Sequence, residues 1–304
     1  MRYRRDPGGE IGSPLADLKA ALRRALEEGA ADRRAGGEAR VTAHLSDLPR
    51  YVRFNRERQE LRRRLAPAFV QQLRLTVGAF LPRPLEACRV IDVGCGWGHL
   101  ARELARAGCD VIGIEPSQEM LEHARGAARE AGLENVEFRR ATLESLGERD
   151  AYDLAVLDNV FEHIPDQPGA LRGLERCLRR DGVAFLIIPN KLWPVEVHYR
   201  LPFLSYLPLP LANAYLRLTG RGTDYTDASY APTYFGLRRM LRRFPAFETH
   251  FVLPGDVALA QGGGSRLYRW GVAALRLFPG LWTVSKTLLV VLVKRGVAQD
   301  FSGS

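Results

Sequence analysis

Between residues 88 and 190 the chain alternates short apolar runs with helix-like segments, and this alternation restricts its folding more than any other feature. "CRVIDVG", "CDVIGIE", "VEFRRA", "YDLAVLDN" and "VAFLIIPN" are strand-like. "GHLARELARAG" and "SQEMLEHARGAAREAG" separate the first three, the second opening on Ser117 as a helix N-cap. "PGALRGLERCLRRDG" sets Leu171, Leu174 and Leu178 on one helical face before the fifth run. A strand, a helix and a parallel strand join by a right-handed crossover, and repeating that unit builds a doubly wound α/β sheet. Two later runs, "FETHFVL" and "TLLVVLVKR", read as strands on either side of the helix-like "SRLYRWGVAALRLF".

The flanks are different in kind. Residues 1–66 form a basic extension expected to be helical, with "ADLKAALRRALEEG" as one helix and "AADRRAGGEAR" as a linker. "YVRFNRERQELRRRLAPAFVQQLRLTVGAFL" predicts one or two helices with a break near Pro67, and its Arg62–Arg64 run reads as a solvated helix face. Residues 67–190 would carry the ligand-binding core. Residues 191–246, rich in proline, tyrosine and leucine, read as a cap inserted over the sheet's carboxyl edge, and residues 247–304 as the strands that complete the sheet.

Composition adds limits. The formal net charge is +9, nearly all of it arginine, since Lys19, Lys191, Lys286 and Lys294 are the only lysines. Such a surface suits nucleic acid, anionic lipid or an acidic substrate. Cys88, Cys95, Cys109 and Cys177 show no CxxC spacing, which predicts reduced thiols and a cytoplasmic protein. No apolar region follows the basic "MRYRRDPGGE", so no signal peptide is expected. "TLLVVLVKR" falls far short of the ~20 residues of a spanning helix, so membrane contact, if made, would be peripheral.

Ligands of doubly wound sheets bind outside the carboxyl ends of the strands, at the point where strand order reverses. "IDVGCGWG" stands there as strand, Gly94-x-Gly96-x-Gly98, then helix, and Glu115 ends the next strand, where a carboxylate can accept bonds from two ribose hydroxyls. Dinucleotide sites favour GxGxxG with a pyrophosphate on the helix N-terminus. Here the spacing is GxGxG, and Asp92 precedes it, which would repel a pyrophosphate but pair with an ammonium group. Adenosine carrying an amino acid and a sulfonium fits such a corner better than NAD does.

"VIDVGCGWGHLA", "VIGIEPSQEML", "YDLAVLDNVFEHIPD" and "LRGLERCLRRDGVAFLIIPN" together resemble the class I S-adenosylmethionine-dependent methyltransferases, and among them the group that includes the ubiquinone-biosynthesis O-methyltransferases. The resemblance covers residues 89–190 and the two late strands. It implies a Rossmann-like seven-stranded sheet whose last strand, "TLLVVLVKR", runs antiparallel between the fifth and sixth. It implies that Asp92, Gly94, Cys95 and Gly96 line the methionine half of S-adenosyl-L-methionine. Glu115 would hold the ribose, with Pro116 and Ser117 beside it. Thr142 or the Leu143 backbone would address the adenine, and Asp158 and Asn159 would face the methionine portion and the acceptor.

For a hydroxyl acceptor, a base within reach would help. His163 in "DNVFEHIPD", and Glu196 with His198 in "NKLWPVEVHYR", are the candidates. Some relatives carry a Glu-x-x-Glu-His cluster for a divalent ion; Asn159 replaces its first glutamate here, leaving Glu162 and His163, and no metal is expected. The function so implied is O-methylation of a small or amphipathic hydroxyl, quinone-like, lipid-linked or glycan-derived. A nucleic-acid methyltransferase is the rival enzyme, although "DNVFEH" lacks the Asn/Asp-Pro-Pro-aromatic pattern. A cofactor-binding scaffold or sensor is the third reading.

Overall fold

The computed structural model of the chain describes residues 49–260 and 265–295; the expected helix and linker within residues 1–43 lie outside them. The described residues divide into two compact units, one of residues 195–229 and one of the remainder.

The larger unit is built on a seven-stranded sheet of β1 (Arg89–Val93), β2 (Asp110–Ile114), β3 (Val136–Arg139), β4 (Tyr152–Asp158), β5 (Leu178–Pro189), β6 (Phe247–Val252) and β7 (Thr287–Lys294). Their spatial order is β3-β2-β1-β4-β5-β7-β6, and β7 is antiparallel to both its neighbours, as expected. β1 pairs in parallel with β2 on one side and β4 on the other, so strand order reverses at β1. The corner that follows β1 therefore opens at the switch point, where two crossovers diverge and leave a crevice.

Period-two alternation divides the core between the two faces of the sheet. Ile91, Val93, Ile112 and Ile114 belong to one apolar cluster, and Val90 and Val111 to the other. The second face is covered by α1 (Pro49–Val77), α2 (His99–Arg106) and α3 (Gln118–Glu130), through Val70, Leu73, Leu104 and Leu121. The first is covered by α4 (Gln167–Cys177) and a later helix at Tyr234–Leu241, through Leu171, Leu174, Leu237 and Leu241. Ser117 caps α3 as predicted, its hydroxyl accepting from the Met120 amide at 3.4 Å.

Two local expectations are corrected. The helix around Pro67 is not broken: α1 runs without interruption through it. Ala66, Val70, Leu73 and Val77 recur at helical spacing and are buried, whereas Pro67 is exposed, so packing of one face holds the helix across the hydrogen bond that proline removes. Leu178 is not on the face of α4. It begins β5, paired with Tyr152, and the register then jumps so that Val183 meets Leu154, with Asp181 at φ 62° in the bulge within β5.

Residues 195–229 of the smaller unit hold one α-helix, α5 (Leu209–Thr219), two single-turn 3-10 helices, and an isolated bridge between Val195 and Pro202. Leu201, Leu204, Ala212, Leu216, Tyr225 and Ala228 form its core. The helix Tyr234–Leu241 is α6, and α7 (Arg266–Leu277) lies between β6 and β7. No described helix is long and apolar enough to cross a membrane.

Candidate active site

The turn after β1 is made by three glycines with left-handed φ values, 63° at Gly94, 54° at Gly96 and 70° at Gly98. Two of them have different reasons to be glycine. A Cβ on Gly98 would stand 2.7 Å from the Phe138 ring and 2.8 Å from Ala124 Cβ, so there the fold itself needs a bare backbone. A Cβ on Gly96 would meet nothing within 4 Å. That position faces open space, where a ligand can come close to the main chain.

The Glu115 carboxylate turns back onto this corner. Its Oε2 accepts from the Gly96 amide at 3.1 Å, and its Oε1 from the Ser117 amide at 3.1 Å. Parallel pairing of β1 and β2, with Val93 opposite Ile114, brings the tip of one strand beside the glycine turn of the other. Pro116 is exposed next to it, and its carbonyl accepts from Arg140.

Behind the corner lies a cavity of about 60 Å³, lined by Asp92, Gly94, Cys95 and Asp158 and by Trp97, His99 and Leu100. Gln59, Arg62, Leu65, Ala66 and Phe69 of α1 close it from above. Asp92 is only 3% exposed, and its Oδ2 has no hydrogen-bond partner among the described residues. Burial, and then the Asp158 carboxylate, push the Asp92 carboxyl up to about 8, while Arg62 acts the other way. A buried carboxyl with an unused oxygen and a carboxylate neighbour is a receptor for a cation. Burial likewise raises the Cys95 thiol far above its usual range, so Cys95 lines the wall as a neutral group. Burial, and then the Arg102 guanidinium, push His99 down to about 4. Its Nδ1 therefore accepts from Arg102 Nη2 at 3.0 Å, since a guanidinium can only donate.

Asp158 and Asn159 end β4 at this edge. Asn159 takes φ 54°, and its Nδ2 donates to Asp158 Oδ1 at 2.6 Å. Thr142 is exposed, and its amide and hydroxyl are engaged with Ser145 in a local turn, at 2.9 and 3.4 Å. The Leu143 side chain is buried in the core, and its carbonyl accepts from Arg176. Neither Thr142 nor Leu143 lines the cavity.

His163 lies on a short turn after β4, its Nε2 3.8 Å from Oε1 of the buried Glu162. In the smaller unit Glu196 is 6% exposed. Its Oε1 meets His198 Nδ1 at 2.7 Å, and its Oε2 accepts the amides of His198 and Tyr199 at 2.8 and 2.6 Å. The carboxylate thus closes a turn and sets the imidazole at the same time.

Sequence reasoning missed the contribution of α1. Arg62 is half-buried in the cavity wall, whereas Arg63 and Arg64 are exposed, so one member of the run departs from the solvated face expected for all three. Its position one turn before the buried Ala66 was the available signal.

Residues 85–202 match the family described as "Methyltransferase domain". A "Ubiquinone biosynthesis O-methyltransferase" of Methylocella silvestris is 38% identical over 113 residues, 37% of this chain and 44% of that protein. A protein of the same name from Azorhizobium caulinodans is 34% identical over 151 residues, 49% of this chain and 56% of the relative. The match thus spans about half the length of these relatives. The plantazolicin methyltransferase BpumL, solved with a desmethylPZN analogue and SAH, superposes on 95% of this chain and all of its own at a TM-score of 0.50 and 15% identity, which supports the fold. Residues 85–202 are thus similar to a methyltransferase domain, and the chain resembles the class I S-adenosylmethionine-dependent methyltransferases in sheet order, glycine corner and acidic strand tip.

Proposed function

We propose that the chain is an S-adenosylmethionine-dependent methyltransferase that O-methylates a small or amphipathic hydroxyl acceptor and makes peripheral contact with a membrane. The observation that carries the cofactor reading is the pair formed by Glu115 and Gly96: a carboxylate aimed at a backbone corner with open space in front of it. The unpartnered Asp92 Oδ2 behind them suits the ammonium end of the same molecule.

S-adenosylmethionine, when bound, supplies a methyl group on a sulfonium, ready for in-line displacement. The chain's work is to position and to neutralise. Glu115 would accept from the ribose hydroxyls, and its bond to the Gly96 amide already fixes its direction. Asp92 and Asp158 would hold the ammonium group of the amino-acid end, and the burial of Asp92 strengthens the attraction between opposite charges there. Holding the acceptor in line with the methyl group removes the entropic part of the barrier. As the new C–O bond forms, the hydroxyl proton must leave. His163 is one acceptor for it, and His198, held by Glu196, is the other.

The test is transfer of a labelled methyl group from S-adenosylmethionine to a panel of catechols, quinols, lipid-linked alcohols, glycans and nucleic acids. Label on a hydroxyl acceptor is the expected result. Label on RNA or DNA alone, with a rate falling steeply with salt, would replace the proposal with the nucleic-acid reading. Cofactor binding without transfer to any acceptor would favour the scaffold.

A further inference from the structure

β6 and β7 are antiparallel neighbours, and two residues are enough to join such a pair. Here the chain spends residues 253–286 on the join, with α7 in the middle. Both ends of this connection are fastened. The Gly255 amide donates to Thr76 Oγ1 at 3.1 Å, and the Asp256 amide to Gln72 Oε1 at 3.2 Å, both on α1. At the far end Asn190, just past β5, donates through Nδ2 to the carbonyls of Thr283 and Ser285 at 3.0 and 2.9 Å. Trp282 packs edge-on against Phe251 of β6.

Between these anchors the connection shows its apolar side to solvent. Leu267, Trp270 and Leu277 are 82%, 76% and 73% exposed, and Phe278 is 63% exposed. Leu267, Trp270, Ala274 and Leu277 recur at intervals of three, four and three, which is one face of a helix. Only Val272, on the opposite side, is buried within α7. Isolated exposed leucines need no explanation, but a stripe of leucine, tryptophan and phenylalanine on a pinned helix does.

Charge identifies what the stripe fits. No acidic residue occurs between Asp256 and Asp300. Arg266, Arg269, Arg276 and Lys286 are exposed and make no ion pair among the described residues. Three of them flank the apolar stripe on α7 itself. An aromatic and aliphatic face bordered by arginines, with no carboxylate to repel phosphate, matches the headgroup boundary of an anionic bilayer.

The connection also leaves and re-enters the sheet on a particular side. β6 runs parallel to β1 and ends at Val252, and β7 begins at Thr287, so residues 253–286 stand at the carboxyl edge, the edge on which the glycine corner opens. We infer that α7 and the turn after it, through Leu267, Trp270, Leu277, Phe278 and the flanking arginines, form a docking surface for an anionic lipid bilayer, which places the carboxyl edge of the sheet toward the membrane. This names the surface behind the peripheral contact proposed above, and it is independent of methyl transfer.

Flotation of the full-length protein with phosphatidylcholine vesicles, with and without 30% phosphatidylglycerol, tests it. The wild type should float with the anionic vesicles, at least tenfold more than with neutral ones, and 0.5 M NaCl should reduce that binding. The double variant Trp270→Ser, Leu277→Ser replaces exposed side chains only; it should keep the wild-type melting temperature and lose at least tenfold in flotation. Arg266→Gln with Arg269→Gln should lose the preference for anionic vesicles. Wild-type protein that floats with neither vesicle would overturn the inference, as would a folded double variant that floats like the wild type. A wild-type dimer in solution that the double variant converts to monomer would assign the stripe to a second copy and overturn it too. Cofactor binding, measured in parallel by calorimetry, reports on the proposed enzyme separately.

Discussion

Gly96 and Gly98 sit two residues apart with similar backbone angles, yet the same substitution should damage different properties. Gly98→Ala drives a methyl group into the Phe138 ring and Ala124, and should lower folding stability by about 1–3 kcal/mol. Gly96→Ala meets no atom, so it should cost only about 1–2 kcal/mol of left-handed strain, while reducing cofactor affinity at least tenfold. Denaturant unfolding and cofactor titration of the two variants separate these outcomes; equal affinity losses with equal destabilisation would deny Gly96 its role at the ligand. Asp92 presents a different trade. Its carboxyl titrates near 8 in the folded chain, above its value of 3.8 as a free side chain, so the folded state holds that proton more tightly. Folding stability therefore falls as pH rises from about 4 toward 8. Asp92→Asn carries no such penalty and should gain on the order of 1–3 kcal/mol over the wild type by pH 8, with a gain that shrinks toward pH 4.5. Unfolding of both proteins across that range checks this, and a difference independent of pH would contradict it. The placement of Asp92, Gly96 and Glu115 around one corner could be expected from sequence because they lie at or just past the ends of β1 and β2, where local pattern dictates position. Thr142 shows the limit: its engagement with Ser145 depends on a turn that no apolar periodicity reports.

At the scale of elements, α1 is the least predictable part and has the most direct consequence. Its buried stripe was visible as helical spacing, but the surface it would cover was not, since contacts between residues 59–69 and the glycine corner are distant in sequence. Gln59, Arg62, Leu65, Ala66 and Phe69 line the cavity together with Asp92 and Asp158, so a cofactor that seats its ammonium end there meets this segment of α1. Residues 59–69 should therefore change their protection on binding. Hydrogen–deuterium exchange across residues 59–69 should change when S-adenosylmethionine is added, while the buried strands β1 and β4 remain as they were. Unaltered exchange in that segment at saturating cofactor would show that the helix does not close the site. The Pro67 outcome belongs to the same scale: a proline breaks a helix whose inner face is not held, and here Ala66, Val70 and Leu73 hold it.

For the molecule as a whole, sheet order was legible because right-handed crossovers and period-two runs leave few alternatives, and the antiparallel position of β7 followed from family resemblance alone. Acceptor chemistry was not legible, because it depends on which side chains from distant segments meet, and the same fold hosts many reactions. A ligand that binds only the folded chain must raise its melting temperature, by about 2.7 kcal/mol of stabilisation at a hundredfold excess over Kd. S-adenosylmethionine should produce that shift and NAD should not. The most direct test of the central claim is calorimetric titration of S-adenosylmethionine into the wild type and into Glu115→Ala. Saturable one-to-one binding by the wild type, weakened in the variant by about 1–3 kcal/mol, is the predicted result. Binding of equal strength in the two proteins, or none to the wild type, would contradict it.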